Sequence, residues 1–540
     1  MSVPKLKTQG SFFDVSFLAE ELFDETSEFR LFREKVLPVL RSHREELVGM
    51  YCAENGRAAI EPMEMAGVSL LQFMKKVPDR EAAEQVRLNL GWKLALDLPV
   101  NDAGFHPTSL VVFRDRLMES EQGRLVFDAI VQALREAGLV KRRSKQRLDS
   151  THVLGCVAQM SRLDVVRESV RLALEEMEKQ GVSDDFAFWK MFIERYRDSQ
   201  IDWRHQSREH LCEKARQAGE DALELIRWHR QQPAAVRDSE KSLLLERVFL
   251  EQYELNEEPQ QRRHSEHGGT VHNPHDPEAQ WSAKGQDSQK TWVGYKAQVM
   301  ETVAEDPTPK KKGDPTEQFI TEIVTTEAAQ SEREGMEQVL ESQQAHGQEA
   351  PSELFVDAGY VSGETLAQAQ AEGRELVGPA LPAAAQSAVE YRSDHFDVDI
   401  AAGKAVCPAG HSSTQCSHIC ESRGEEYYRI EWGRQCDECE KRTECTRSKS
   451  GRRTLNVGMH HDLVQARRRE MQTEAFALRM HQRNGIEGTI SELTRGGMRR
   501  TRYRGLAKTR LANCFIAAAC NVKRWLRLTA WQMETVPAMG

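Results

Sequence analysis

The stretch Glu353-Leu354-Phe355-Val356-Asp357-Ala358-Gly359-Tyr360 decides how the middle of this chain is read. Four residues of strand character end on a carboxylate, and the small Ala358 and Gly359 let the chain turn without covering it. A helical pattern over Glu332–Ala345 precedes this stretch and another follows at 363–372, after which Glu375-Leu-Val-Gly reads as a further strand. Upstream, Thr291-Trp-Val-Gly-Tyr-Lys-Ala-Gln-Val-Met and Phe319-Ile-Thr-Glu-Ile-Val-Thr-Thr are strand runs joined by a Pro/Lys loop at 307–315, which predicts a hairpin pair. Alternating strands and helices of this kind indicate a mixed α/β sheet.

Further out, Arg147-Leu148-Asp149-Ser150-Thr151-His152-Val153 reads as a short strand. The order strand, strand, strand, helix, strand, helix, strand is an RNase H-like layout if the charged helical region after the first strand is an insertion. The expected architecture is therefore α/β: an RNase H-like mixed-sheet catalytic core within 140–530 (140–160, 288–385 and 460–530), interrupted by a helical insertion at 161–260 and a Cys-rich insertion at 390–455. Residues 1–135 read as a helical N-terminal domain, either a bundle with no ligand or a DNA-binding domain, between which periodicity alone does not choose. There apolar positions recur at helical spacing (Phe29, Leu31, Phe32, Val36, Leu37, Leu40; Val68, Leu70, Leu71, Phe73, Met74), Asp79 is placed to cap a helix running toward Leu90, and Pro107-Thr-Ser starts another.

The bulk properties bound the function. With 540 residues, 39% hydrophobic and 29% charged, the chain has the makeup of a globular protein of several domains and not of a disordered one. No run of about 18 uncharged apolar residues exists, so no membrane partner is expected. Met1-Ser-Val-Pro-Lys lacks the apolar core of a secretory signal, which points to the cytoplasm. The net charge of −10 hides segregation: residues 441–510 hold 18 Lys/Arg against 6 Asp/Glu, and 495–510 hold seven basic residues and no acidic one. A second basic block, Lys141-Arg-Arg-Ser-Lys-Gln-Arg147, precedes Asp149. Runs like these are commonly solvated faces; their position beside candidate catalytic carboxylates favours contact with a phosphate backbone.

Those carboxylates are Asp149 in its strand, Asp357 at a strand end, and Glu487 in the helical Arg483-Asn-Gly-Ile-Glu487-Gly-Thr-Ile-Ser-Glu-Leu. Any one alone is commonly a turn former, a cap or a solvated group. Together, in this order and with basic flanks, they are candidates for the oxygen ligands that two Mg²⁺ or Mn²⁺ ions need for in-line displacement at phosphorus.

The stretches Leu148-Asp-Ser-Thr, Val293-Gly-Tyr-Lys, Leu354-Phe-Val-Asp-Ala-Gly-Tyr and 483–493, with the tail Arg504-Gly-Leu-Ala-Lys-Thr-Arg and the helix carrying Asn513 and Asn521-Val-Lys-Arg, resemble bacterial insertion-sequence transposases of the DDE type. Asp79-Arg-Glu-Ala-Ala-Glu, Gly91-Trp-Lys and Phe113-Arg-Asp-Arg-Leu are similar to the helical domain of the same transposases, so the resemblance covers most of the chain in order. It implies binding of terminal inverted repeats, cleavage by water, and transfer of 3′-hydroxyl ends to target DNA by an oligomer on double-stranded DNA, in a cytoplasmic, nucleoid-associated protein. Asp149, Asp357 and Glu487 are then the catalytic metal ligands, and Arg483, Arg495, Arg499, Arg500, Arg502, Arg504 and Lys508 the DNA contacts. Of a Tyr-x2-Arg-x3-Glu-x6-Lys signature, Arg483 and Glu487 are present; Met480 stands at the Tyr position and Thr494 at the Lys position, beside Arg495. An RNase H-like nuclease without strand transfer and a catalytically inactive, zinc-stabilised DNA-binding protein are the alternatives.

Six of the 11 cysteines fall between 407 and 445. Cys436-x2-Cys439-x5-Cys445 with Cys407-Pro-Ala-Gly-His411 has the spacing of a structural Zn²⁺ site, with Cys407, Cys436, Cys439 and Cys445 the preferred ligands. His411, Cys416, His418 and Cys420 compete, and two ions can be accommodated. His264, His267, His272 and His275 could bind metal, but read first as an exposed polar loop.

Overall fold

Strand β1 (Gln146–Leu154) is the axis of a six-stranded sheet. The structure is a computed structural model, and it describes residues 14–15, 21–52, 59–198, 207–255, 259–262, 269–284, 290–304, 314–382, 391–421 and 426–535. Strand β2 (Gln280–Lys284) pairs antiparallel with the start of β3 (Lys290–Thr302), and β4 (Ile320–Glu327) pairs antiparallel with the rest of β3 on the same edge. The other edge of β3 pairs with β1 along its whole length, from Gln146↔Thr302 to Leu154↔Gly294. Two short strands, β5 (Glu353–Phe355) and β6 (Glu375–Val377), complete the sheet, β5 parallel to β1 and β6 parallel to β5. The expected hairpin of β3 and β4 is present; the loop at 307–313 lies outside the described residues. Gly294 permits the tight β1–β3 pairing, because a Cβ there would fall 2.1 Å from the Val153 carbonyl oxygen.

Helices pack on both faces. From the N-terminal part come α1 (Pro62–Lys75), α2 (Asp79–Leu88), α3 (Thr108–Glu119) and α4 (Leu125–Glu136). Between β1 and β2 lie α5 (Arg162–Lys179), α6 (Arg208–Arg230) and α7 (Glu240–Gln252), which bury a separate core around Val166, Val170, Leu225, Leu245 and Val248. Then follow α8 (Glu332–Ala345), started by a reciprocal Ser331/Glu334 capping box, α9 (Gly363–Ala371), α10 (Gly485–Leu493) and the 30-residue α11 (Leu506–Thr535).

One continuous apolar core joins the N-terminal helices (Phe32, Leu70, Phe113, Ile130) to the sheet (Val153, Tyr295, Val299, Ile323) and to α11 (Phe515, Ala518, Val522). Helix α11 also closes the free edge of β4. The Asn521 amide accepts from Ile320 N (2.9 Å) and donates to Ile320 O (2.8 Å), while Arg510 Nε donates to Thr325 O and Asn513 Nδ2 to Thr325 Oγ1, both at 2.9 Å. Side chains thus supply the partners that a neighbouring strand would. The opposite face, with Leu148, Met300, Leu354 and Val356, packs on α8 and α9.

Three local expectations are corrected. Asp79 is inside α2 and does not cap it; its carboxylate instead accepts from Arg114 of α3 and from Gln72 Nε2 (2.7 Å), because the buried Arg114 guanidinium needs a counter-charge. Burial pushes this carboxyl up, but Arg114 and Gln72 outweigh it and hold it below the usual range. The last helix of the insertion expected over 161–260 ends at Gln252, and Tyr253–Leu255 and Pro259–Gln261 pair as two short strands. His272 and His275 are half-buried and not on an exposed loop: His275 Nε2 lies 2.7 Å from Glu168 Oε1, and burial lowers the basicity of His272. His264 and His267 lie outside the described residues.

Candidate active site

Strand alternation puts Arg147, Asp149, Thr151 and Val153 on one face of β1 and Leu148 and Ser150 on the other. The β1–β5 register pairs Arg147 with Phe355, so carrying it on by two residues sets Asp149 level with Asp357 on the same face. One nitrogen joins them: Arg483 Nη2 lies 3.2 Å from Asp149 Oδ2 and 3.5 Å from Asp357 Oδ2. Asp149 is largely covered (14% side-chain exposure) while Asp357 is open (56%), so the pair has a buried floor and a solvent-facing mouth. Each carboxylate accepts its next residue's N–H at 2.7 Å, which fixes one oxygen and leaves the other toward Arg483.

Arg483 belongs to a single-turn helix (His481–Asn484) whose backbone stays helical through Asn484 (φ −58°, ψ −24°) into α10. Glu487 is therefore one turn further along the same face, exposed, while Ile486 and Thr489 are buried. A buried ionic network fixes this helix against β1. Arg147 donates to Glu301 Oε1 (2.7 Å), Gln482 O (2.7 Å) and Gln318 Oε1 (2.6 Å). Glu301 Oε2 in turn accepts from Thr489 Oγ1 (2.5 Å) and Arg524 Nη1 (3.1 Å). Gly485 makes room, since a Cβ there would sit 2.1 Å from Arg147 Nη1. Arg147 is thus a positioning group two residues from Asp149: it grips the chain immediately before Arg483.

Sequence reasoning missed the group beneath Asp149. Glu332, at the start of α8, accepts from Ser150 Oγ (2.9 Å) and Gln298 Nε2 (3.1 Å) and lies 3.3 Å from Lys296 Nζ, while Tyr360 OH donates to Gln298 Oε1 at 2.7 Å. Burial alone raises this carboxyl, but Lys296 and the hydrogen bonds overcome it, so its pKa is lowered; burial, then Glu332 and Asp149, push the Tyr360 phenol upward. The Val-Gly-Tyr-Lys and Asp-Ala-Gly-Tyr stretches therefore meet here, Lys296 and Tyr360 converging on Glu332 from β3 and from the turn after Asp357. An exposed-looking Glu at a helix start carries no sequence signal of that convergence.

Residues 406–526 match a family model described as a transposase DDE domain, and residues 18–116 match one described as a transposase domain. Together these matches indicate an insertion-sequence transposase of the DDE type. A search of curated proteins and a search of solved structures each gave no match. The DDE transposase match implies in general a DNA substrate, strand cleavage and transfer, and divalent metal. It takes in Arg483, Glu487 and the basic segment after them, and not Asp149 or Asp357. The second match contains α1, α2 and the Asp79–Arg114 pair. Among the described residues no helix is long and apolar enough to cross a membrane.

The two basic blocks have different surroundings. In the first, Arg147 is buried, Lys145 and Arg142 pair with Glu353 and Glu349, and Arg143 donates to Gly373 O. In the second, Arg495, Arg500, Arg502, Arg504 and Lys508 are exposed, with Lys508 3.3 Å from Asp115. Arg499 is half-buried and donates to the His152 ring and carbonyl. The segment runs beside the end of β1, with Leu154 N donating to Arg499 O and Thr501 N to Leu154 O, both at 2.9 Å. Leu154 is five residues beyond Asp149, about 17 Å at strand rise.

The Cys-rich region folds as β7 (Asp397–Asp399) with β8 (Lys404–Val406), and a three-stranded sheet of β9 (Gln415–Cys420), β10 (Glu426–Glu431) and β11 (Thr454–Gly458), around Phe396, Ile430, Trp432 and Leu455. Cys407, Cys436, Cys439 and Cys445 line one cavity of about 30 Å³, together with His411. The main chain braces it: Cys407 N and Trp432 Nε1 both donate to His411 O (3.0 and 2.8 Å), and Arg453 N donates to Cys436 Sγ at 3.4 Å. Cys416 packs into the sheet core, and His418 and Cys420 lie toward the far, exposed end of β9.

Proposed function

We propose that this transposase binds the terminal inverted repeats of its element and cleaves and transfers DNA strands at Asp149, Asp357 and Glu487, on an RNase H-like core. The observation that carries the reading is the single Arg483 nitrogen in contact with both aspartates, with Glu487 one helical turn away. The donor set is all oxygen and opens to solvent at Asp357, which suits Mg²⁺ or Mn²⁺ held by these three residues. Bound there, two such ions would activate the attacking oxygen and stabilise the leaving one. The chain's own residues do the rest. Arg147 and Glu301 hold the Glu487 helix against β1, Glu332 steadies the backbone beneath Asp149 through Ser150, and Arg483 offers a cation to a phosphate at the mouth.

Arg495, Arg500, Arg502, Arg504 and Lys508 form the proposed track for the DNA backbone leading to that mouth, with Arg499 supporting it from His152. Double-stranded DNA is the partner, with two copies of the chain bringing two ends together. Cys407, Cys436, Cys439 and Cys445, which line one cavity, are the proposed ligands of a structural Zn²⁺.

The test is to incubate the protein with its element's end DNA and Mg²⁺ or Mn²⁺. Nicks at the element boundary that vanish with EDTA, followed by joined strand-transfer products, are expected. Nicks without joined products would leave a plain nuclease, and tight binding with no cleavage an inactive DNA-binding protein.

A further inference from the structure

The far end of the β9–β10 hairpin carries a second cluster of metal-type ligands, separate from the Cys407 cavity. In the β9–β10 register Cys420 stands directly opposite Glu426 and His418 opposite Tyr428. His418 and Cys420 are two residues apart on one strand and so share a face, and Glu426 joins that face from the partner strand. His418 Nε2 lies 3.3 Å from Glu426 Oε2 and 3.9 Å from Cys420 Sγ, and the three ligand atoms all fall within 4.8 Å of one another. With metal–ligand bonds of roughly 2.0–2.3 Å, tetrahedral edges come to about 3.3–3.8 Å, close to the separations here. The ring of Tyr428 lies against His418, 5.2 Å between centroids, and restricts the imidazole on its other side.

We infer that His418, Cys420 and Glu426 bind a second Zn²⁺ ion, with the fourth position open to solvent. One thiolate, one imidazole and one carboxylate form a borderline donor set that suits zinc, whereas Mg²⁺ prefers oxygen alone. Three ligands on an exposed hairpin make this ion exchangeable, in contrast to a closed four-sulfur site. Its binding depends neither on the catalytic reading nor on whether the Cys407 cavity is filled.

The experiment is zinc content by mass spectrometry of the full chain, equilibrated with micromolar Zn²⁺ and then gel-filtered, for the natural protein and for His418→Ala/Cys420→Ser. The expected result is one zinc fewer per chain in the variant, with an unchanged melting temperature. Glu426→Gln should retain the ion but weaken it, seen as faster loss to a chelator. Because these side chains are exposed, loss of fold is not expected; the melting curve checks it, and cobalt loading of the natural protein gives a second reading, a one-thiolate spectral component that the double variant lacks. Equal zinc content in the two proteins, or a cobalt spectrum unaltered by the double substitution, overturns the inference.

Discussion

Residues 141–147 and 495–510 are both runs of positive charge beside a proposed metal-binding carboxylate, yet the fold uses them differently. The first leads into a central strand, where every second side chain must enter the interior. Arg147 is therefore buried and pairs with Glu301, while its neighbours are engaged by Glu353, Glu349 and a carbonyl. The second run lies on a turn and the exposed side of a helix start, so most of its guanidiniums reach water. A charge run next to a site thus reads as a nucleic-acid contact only when its backbone leaves the side chains outside.

The sharpest way to break this contrast is Arg147→Ala. It leaves Glu301 buried beside Arg524 alone and frees the chain before Arg483, so denaturant unfolding should show a loss of about 3–5 kcal/mol. A loss under about 1 kcal/mol, the range of exposed pairs, would mean that Arg147 is no more internal than the exposed arginines.

His229 extends the contrast to a buried titratable ring without a counter-charge. Its ring nitrogens make no hydrogen bond among the described residues, and burial lowers its pKa to about 4. The folded value lies below the unfolded one, so its neutral form is accommodated above pH about 6.5 and stability falls as pH drops from there toward 4. The cost is on the order of 3 kcal/mol at full protonation. His229→Phe should flatten the acid limb of a melting-temperature profile; an unchanged limb would remove His229 as its cause.

Arg502→Ala/Arg504→Ala should leave stability within about 0.5 kcal/mol. It should weaken DNA binding and reduce the slope of log affinity against log salt by about 0.9 for each phosphate that is no longer neutralised. The smallest effect is expected for Arg142→Ala, a surface pair in which the arginine is 86% exposed: within about 0.5 kcal/mol in stability and little change in DNA affinity. A large drop in affinity there would restore the first block as a DNA-binding element.

Much of the sheet was legible in sequence, because its signals are local. The strand around Ile320–Thr326 is a β-branched run, that around Trp292–Met300 carries Trp292, Tyr295 and two valines, and α8 begins and ends where its pattern predicts. Asp149, Asp357 and Arg483 were legible as members of motifs, and the structure brings them into contact. What was illegible depends on partners far away in sequence. Asp79 is drawn to Arg114 across 35 residues, Ser150 to Glu332 across 182, and Arg147 to Gln482 across 335. No periodicity announces such pairs; they arise when the sheet brings β1, β3 and the α10 segment together.

The central claim is that Asp149 and Asp357 form one DNA-cleaving site. The most direct measurement is boundary-specific nicking of the element's end DNA in Mg²⁺ by the natural protein, Asp149→Asn and Asp357→Asn, with DNA binding measured alongside. The account predicts that both variants bind end DNA and that neither nicks it above background; nicking by either at the natural rate would contradict it.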